Sequence, residues 1–141
     1  MPHSSTDPSI DLSIVVPLYR CAQTVEELTR RIHAALADRA LRYEILLVDD
    51  ASPDGTRTAA ERAVAEDPVH TRLLAGEVRR GQQRAVLAGL RQARGRLWAA
   101  MDGDLQDPPE LLPEMVSEVE NTGARVTLPL VAADTDRRSA P

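Results

Sequence analysis

The chain has 141 residues, of which 43% are hydrophobic and 28% are charged. This is the size and composition of one ordinary globular domain, which excludes a disordered chain and leaves no room for two full domains. The formal net charge of −5 gives no electrostatic attraction to nucleic acid or to an anionic membrane surface.

Apolar runs and helical patterns alternate from the first predicted element onward. Residues 12–17 form a short β-branched run that predicts a buried strand, and residues 43–48 predict a second strand. Between them, the pattern Thr24-x-x-Glu27 is typical of a capping box at the start of a helix. After the second strand, an Ala-rich helix is expected to begin at Thr56.

The same alternation continues in the second half of the chain. Residues 69–75 predict a third, weaker strand, 82–94 predict a helix and 96–101 predict a fourth strand. Small residues recur in that helix at a spacing of four, which favours close packing of one face. These residues are Ala85, Gly89 and Ala93.

The end of the chain contains one more helical pattern. Asp107 is expected to cap a helix that has Pro108 and Pro109 in its first turn and continues to about residue 121. Residues 125–131 predict a further strand, interrupted by a proline. We therefore expect a flexible segment over 1–11, a domain over 12–131 and a disordered tail over 132–141.

Strands that alternate with helices of ten or more residues favour parallel pairing through right-handed crossovers. The expected fold class is therefore α/β, with a mostly parallel sheet and helices on both faces. Ligands of such sheets bind beyond the carboxyl ends of the strands. Polar residues cluster in the loops that follow the four predicted strands: Tyr19, Asp49 and Asp50, Arg79 and Arg80, and 102–106.

Two acids and an amide alternate after the fourth strand, at Asp102, Asp104 and Gln106. Their oxygens suit a hard divalent cation such as Mg²⁺ or Mn²⁺, although two acids around a glycine are also common in ordinary turns. An EF-hand loop is excluded because its sixth position would be Asp107 rather than glycine. The chain also contains no phosphate-binding P-loop and no dinucleotide-binding G-x-G-x-x-G after the first strand.

The other polar residues at this edge allow two interpretations each. Asp49 and Asp50 either cap the local turn and the following helix, or accept hydrogen bonds from a nucleobase or ribose. Tyr19 either packs in the protein or faces a base. Arg79 or Arg80 is a candidate for contacts with a diphosphate, although most arginines of this region are expected to be solvated.

The histidines and the cysteine indicate no second site. His3, His33 and His70 show no spacing typical of metal ligands, and Cys21 has no candidate base near it in the sequence. A single cysteine cannot form an internal disulfide, so a cytoplasmic setting is expected. No apolar run reaches the roughly 20 residues that span a bilayer.

Four motifs in order resemble the donor half of family 2 glycosyltransferases. Within that family the chain is most similar to the polyprenyl-phosphate and dolichyl-phosphate sugar transferases, for which the form D-x-D-L-Q-x-P-P-E is typical. The resemblance covers roughly residues 12–120. The motifs are SIVVPLY at 13–19, VDDASPDGT at 48–56, GQQRAVLAGL at 81–90 and MDGDLQDPPE at 101–110.

This resemblance implies a GT-A fold that binds a nucleotide-diphosphate sugar together with Mg²⁺ or Mn²⁺. It implies that Asp104 is the catalytic residue and a metal ligand with Gln106, and that Asp102 lies beside the diphosphate as a ligand or ribose partner. The positions that hold the nucleoside match Pro17, Tyr19 and Asp50, with Asp49 beside them. Arg79 and Arg80 stand where the family commonly has Asn-Phe, and Arg20 and Cys21 where it has Asn-Glu.

Family members continue into an acceptor-binding half, and the sequence after Gly123 does not follow their usual continuation. The chain is therefore expected to be truncated, split or repurposed. Its first candidate function is inverting transfer of a sugar to a polyprenyl phosphate or another acceptor. The alternative is a noncatalytic subunit that binds a nucleotide sugar. In either case we expect a homo-oligomer or a complex with a complementary chain, and such a partner would bring the protein to the inner face of the membrane. A sugar nucleotidyltransferase is excluded, because that class needs a Gly-rich loop after the first strand.

Overall fold

A computed structural model describes residues 9–122 of the chain. Within this range four strands alternate with helices, as the sequence predicts. The strands are β1 (Leu12–Leu18), β2 (Tyr43–Asp49), β3 (Thr71–Ala75) and β4 (Leu97–Ala100); the helices are α1 (Val25–Leu36), α2 (Thr56–Glu66), α3 (Gln82–Gln92) and α4 (Leu112–Thr122), with a 3₁₀ turn at Pro109–Leu111 before α4.

The four strands form one parallel sheet in the order β3-β2-β1-β4. Ile14 of β1 lies between Ile45 of β2 and Ala99 of β4. Every residue of β1 and β2 is buried, as expected for the central strands of a parallel sheet covered on both faces. This arrangement confirms the α/β class and brings the carboxyl ends of β1, β2 and β4 to one edge.

Helices cover both faces of the sheet, as expected. On one face, α1, α2 and α4 pack over a core that includes Ile14, Leu28, Ile32 and Leu47. On the other face, α3 is the one helix among residues 9–122 that packs against β1 and β2. Two hydrophobic clusters therefore hold the sheet, and the loop that enters α3 reaches the carboxyl edge from the opposite side to α1.

Close packing of α3 depends on the predicted stripe of small residues. Ala85 and Ala93 are buried, and a Cβ on Gly89 would lie 2.4 Å from Cγ1 of Val15 and 3.0 Å from Cγ2 of Val48. The absence of a side chain at this position lets the helix backbone approach the sheet. The prediction of a small-residue packing face is therefore confirmed.

Three local predictions differ from the structure. Strand β3 begins at Thr71 rather than at residue 69, because Asp67 closes a turn: its side chain accepts the N–H of His70 and its carbonyl accepts the N–H of Thr71. Thr24 makes no side-chain cap on α1, and its backbone has φ −116° and ψ −19° rather than the extended conformation usual at an N-cap. Its hydroxyl donates to the carbonyl of Gly103 at 2.6 Å.

The third difference concerns Asp107, which was expected to cap the last helix. Pro108 occupies the N-cap position of the 3₁₀ turn, without a side-chain cap. The Asp107 side chain is buried and accepts the N–H of Asp102 at 3.4 Å. This hydrogen bond ties the start of the 3₁₀ turn to Asp102, five residues earlier in the same loop.

Backbone hydrogen bonds hold the residues before β1 against those before β2 and β4. Before β1, the carbonyl of Ile10 accepts the N–H of Arg96, and the N–H of Asp11 donates to the carbonyl of Arg42. Residues 1–8, the predicted strand over 125–131 and the predicted tail over 132–141 lie outside the described residues. Within residues 9–122, no helix has the length and hydrophobicity needed to cross a membrane.

Candidate functional site

A cleft opens at the carboxyl edge of the sheet, where the predicted polar loops meet. Its volume is about 140 Å³, below the roughly 300–1,000 Å³ of complete small-molecule pockets. The described residues therefore form an open cleft rather than an enclosed pocket. The lining residues are Pro17, Leu18, Tyr19, Cys21, Asp50, Arg79, Gln82, Asp102, Gly103 and Asp104.

The two carboxylates that follow β4 both line this cleft. Between them, Gly103 packs so tightly that a Cβ would lie 2.6 Å from Cδ2 of Leu18. The Thr24 hydroxyl holds the carbonyl of Gly103. The loop that carries Asp102 and Asp104 is therefore fixed from β1 and from the start of α1.

Asp102 carries an electrostatic cost in this loop. Burial raises the pKa of its carboxyl group, and the nearby charge of Asp104 raises it further. The side-chain amide of Gln82 opposes both effects by donating to Oδ1 of Asp102 at 2.6 Å. Two neighbouring carboxylates whose charges repel each other form a place where a cation would be favourable.

Gln106, the third member of the expected metal triplet, lies differently. Its backbone N–H donates to Oδ1 of Asp104 at 3.1 Å, but the residue is exposed and does not line the cleft. The oxygen donors that line the cleft are therefore the carboxylates of Asp102 and Asp104, with Gln106 nearby in the sequence. Carboxylate oxygens suit Mg²⁺ or Mn²⁺, so these residues fit such an ion.

Asp49 and Asp50, for which the sequence left two roles open, make different contacts within the protein. Both are buried. Asp49 accepts the N–H of Ser52 at 3.3 Å, which is a local turn contact, and it does not line the cleft. Asp50 lines the cleft, but its carboxylate accepts the backbone N–H groups of Arg80 at 2.8 Å and Gly81 at 2.9 Å. It therefore caps the loop that enters α3, and not the helix that follows β2.

The two neighbouring arginines point to different places. The Arg79 guanidinium lies 3.7 Å from the centre of the Tyr19 ring, within the range of a cation–π contact, and 3.7 Å from Oδ2 of Asp50. Arg80 uses its backbone N–H to hold Asp50, and its side chain does not line the cleft. Of the two candidates for contacting a diphosphate, the structure brings Arg79 to the cleft.

Left-handed backbone recurs in the loops around the cleft. Among the described residues other than glycine, positive φ angles occur at Arg20 (57°), Ala51 (55°) and Leu105 (64°). One such residue follows each of β1, β2 and β4. The conformation is unfavourable for these residue types and is uncommon in proteins, so the surrounding contacts must hold these loops in place.

Two lining residues were not expected from the sequence. Gln82 is the first residue of α3 and reaches Asp102 across the cleft, a contact that no local pattern indicates. Cys21 lines the cleft with a buried thiol whose pKa is raised by burial. The motif GQQ at 81–83, already singled out by resemblance, is the one signal that pointed toward Gln82.

Comparison with known proteins agrees with this arrangement. A family model described as Glycosyl transferase family 2 matches residues 13–139. The chain belongs to this family. Its curated relatives include a dodecaprenyl-phosphate galacturonate synthase from Rhizobium johnstonii, 42% identical over 118 residues, which cover 82% of this chain and 35% of the relative. A dolichol-phosphate mannosyltransferase from Pyrococcus furiosus is 36% identical over 110 residues, covering 78% of this chain and 30% of the relative.

Solved structures of the family show the same fold. The mannosyltransferase PcManGT from Pyrobaculum calidifontis, in complex with GDP-Man and Mn²⁺, aligns with a TM-score of 0.66 and 28% identity over 81% of this chain and 34% of that one. The S. aureus protein TarS, residues 1–349 in complex with UDP, aligns with a TM-score of 0.61 at 21% identity over 79% of this chain and 32% of that one. The expected GT-A type is thereby confirmed. The family 2 chain described here spans about a third of the length of these relatives.

Proposed function

We propose that the chain binds a nucleotide-diphosphate sugar together with Mg²⁺ or Mn²⁺ and transfers the sugar, with inversion, to a polyprenyl phosphate or another acceptor. One observation carries this proposal: Asp102 and Asp104 share a cleft with Tyr19 and Arg79 at the carboxyl edge of the sheet. Solved relatives are described with GDP-Man and Mn²⁺ or with UDP, and curated relatives are named for polyprenyl-phosphate acceptors.

In this proposal each side chain of the cleft has a separate task. Asp104 is the catalytic residue, because it would hold the cation beside the departing group with Asp102, and with the Gln106 amide after a local rearrangement. Tyr19 and Pro17 would contact the nucleoside, and the Asp49–Asp50 segment would support it from β2. Arg79, with Arg80 as the neighbouring candidate, would contact the diphosphate.

The chemistry needs charge stabilisation more than proton transfer. A bound divalent cation would supply positive charge to the leaving nucleoside diphosphate. A phosphate acceptor is already anionic at neutral pH, so no strong general base is required among the residues of this chain. The contribution of Asp102 and Asp104 would be to present two carboxylates from one loop, which Gln82 contacts at Asp102 and Thr24 at Gly103.

A second function is favoured by the small volume of the cleft. A cleft of about 140 Å³ is too small to enclose a whole nucleotide sugar. The chain would then be a noncatalytic subunit that binds a nucleotide sugar as a homo-oligomer or beside a complementary chain. Through that partner, a cytoplasmic protein would reach the inner face of the membrane. The unit proposed for this role is residues 12–131.

Calorimetric titration with nucleoside diphosphates tests the binding step. We expect UDP or GDP to bind at least tenfold more tightly with Mn²⁺ than without it, and Asp104→Ala to remove that gain. Asp38→Ala is the matched control, because Asp38 is an exposed aspartate on the turn after α1. Equal affinity with and without Mn²⁺ in the unsubstituted chain would contradict the proposal.

A transfer assay separates the two candidate functions. The chain would be mixed with the donor that binds best, Mn²⁺ and a polyprenyl phosphate in detergent, and the glycolipid product measured by mass spectrometry. Product formation by the chain alone supports the enzyme. If the chain binds the donor but forms product only after a complementary chain is added, the result supports the noncatalytic subunit.

A further inference from the structure

We propose that His33, Asp67 and His70 form a binding site for a transition-metal ion of the Zn²⁺ class, separate from the donor cleft. Their ligand atoms, one from each side chain, all lie within 4.8 Å of one another. The sequence spacing of these histidines gave no sign of such a site. It arises only because the fold brings the end of α1 against the turn between α2 and β3.

The cluster lies at the end of the sheet opposite the cleft. His33 lies in the last turn of α1, Asp67 is the C-cap of α2, and His70 directly precedes β3. The cluster packs beside Tyr43, the first residue of β2. Since the strands are parallel, their amino ends meet here and their carboxyl ends meet at the cleft.

Two of the three ligand-atom separations are near those of a small tetrahedral ion, and the third is within 4.8 Å. Nδ1 of His70 lies 2.9 Å from Oδ2 of Asp67, and Nδ1 of His33 lies 3.4 Å from the same oxygen. Metal–ligand bonds of about 2.0–2.1 Å at a tetrahedral angle place two donor atoms roughly 3.3 Å apart. Two imidazoles with one carboxylate favour Zn²⁺, Co²⁺, Ni²⁺ or Cu²⁺ over Mg²⁺ and Ca²⁺.

The surroundings orient His33 for this role. Nε2 of His33 lies 3.4 Å from the Thr71 hydroxyl, while Nδ1 lies 2.7 Å from the Tyr43 hydroxyl and faces Asp67. If Nε2 carries the proton toward Thr71, the Nδ1 lone pair accepts the Tyr43 O–H, and a bound ion would take the place of that hydrogen bond. A second-sphere contact that fixes the other ring nitrogen is typical of histidine metal ligands.

His70 is held by stacking as well as by hydrogen bonding. Its ring lies 4.4 Å from the Tyr43 ring at an angle of 8°. All three ligand side chains are partly exposed, at 22% for His33, 27% for Asp67 and 36% for His70. An ion can therefore enter from solvent and would join α1 to the α2–β3 turn, so the expected consequence is a more stable fold.

Cobalt spectroscopy tests the proposal, with an untagged chain in a His3→Ala background. The chain has three histidines in total, so this background leaves only the two of the cluster. We expect Co²⁺ to give d–d absorption bands of tetrahedral intensity, displaced by Zn²⁺, with no thiolate charge-transfer band from Cys21. His33→Ala and His70→Ala should each weaken Co²⁺ binding at least tenfold.

Two further measurements keep the result unambiguous. Zn²⁺ should raise the Tm of the His3→Ala chain by several degrees and leave the Tm of His70→Ala unchanged, because an ion that binds only the folded state stabilises it. Asp104→Ala, which alters the donor cleft, should leave the Co²⁺ spectrum unchanged. The test of the histidine cluster is therefore independent of the test of the proposed donor site. No Co²⁺ bands and no Zn²⁺-dependent Tm shift in the His3→Ala chain would show that the cluster is only a hydrogen-bonded contact and would overturn the proposal.

Discussion

The buried carboxylate of Asp50 accepts the backbone N–H of Gly81, 31 residues further along the chain, at 2.9 Å. The adjacent N–H of Arg80 donates to the other oxygen at 2.8 Å. One side chain at the end of β2 therefore fixes the loop that carries Arg79 and leads into Gln82. This contact links the stability of the fold to the shape of the cleft.

Replacing Asp50 should affect both properties. Asp50→Ala leaves two N–H groups without their acceptor, and we expect it to lower the free energy of unfolding by about 2–3 kcal/mol. Nucleoside diphosphate binding should also weaken, because the loop with Arg79 is released. Urea denaturation and calorimetry would measure the two effects, with Asp38→Ala as the control. Unchanged stability with weakened binding would instead favour direct contact between Asp50 and the nucleoside.

Arg79 and Arg80 form a matched pair for testing the diphosphate contact. Arg79→Ala should weaken nucleoside diphosphate binding roughly 10- to 100-fold, the range expected for losing a charge-assisted hydrogen bond. Arg80→Ala should change binding little, since that residue contributes its backbone N–H to Asp50. Calorimetry of both variants decides the assignment. The reverse order of effects would restore Arg80 as the ligand residue.

Packing of α3 against the sheet gives a prediction about stability alone. Gly89→Ala places a methyl group 2.4 Å from Val15 Cγ1, so we expect a loss of about 1–3 kcal/mol in the free energy of unfolding. Val15→Ala in the same chain should recover part of that loss. Gly55→Ala is the control, because its added Cβ meets only Ala22, at 3.8 Å. Thermal denaturation of the four chains checks the prediction, and a fully stable Gly89→Ala chain would contradict it.

The thiol of Cys21 should react slowly. Burial raises its pKa, and the negative charges of Asp104 and Asp102 add to the effect. Because alkylation requires the thiolate, iodoacetamide should modify the folded chain at neutral pH far more slowly than the urea-unfolded chain. The rate should increase as the pH rises through the elevated pKa. Mass spectrometry over time would measure it, and Asp104→Asn should accelerate the reaction by removing one charge.

The sequence predicted the elements well where the signal was periodic. Local structure and packing are both determined by the apolar runs of β1 and β2 and by the small-residue face around Gly89. These elements could therefore be predicted from the sequence. Thr24 shows why the rest could not. Its local pattern favours a capping box, but its hydroxyl bonds Gly103, 79 residues away, and no sequence window contains both partners.

The site shows the same division. Its location at the carboxyl edge of the sheet could be predicted from the topology, since the carboxyl ends of parallel strands meet there. The exact contacts did not, because Asp50, Gln82 and the His33–Asp67–His70 cluster depend on which loops the fold brings together. A residue type indicates which bonds it is able to make, and only the tertiary structure selects among them.

The left-handed residues Arg20, Ala51 and Leu105 bear on how the sequence tolerates change. Positions with positive φ accept glycine and asparagine readily and reject β-branched side chains. In a saturation library selected for folding, these three positions should be enriched in glycine and asparagine and depleted in valine, isoleucine and threonine. Such a profile, obtained without any ligand, would outline the rim of the cleft from backbone preference alone.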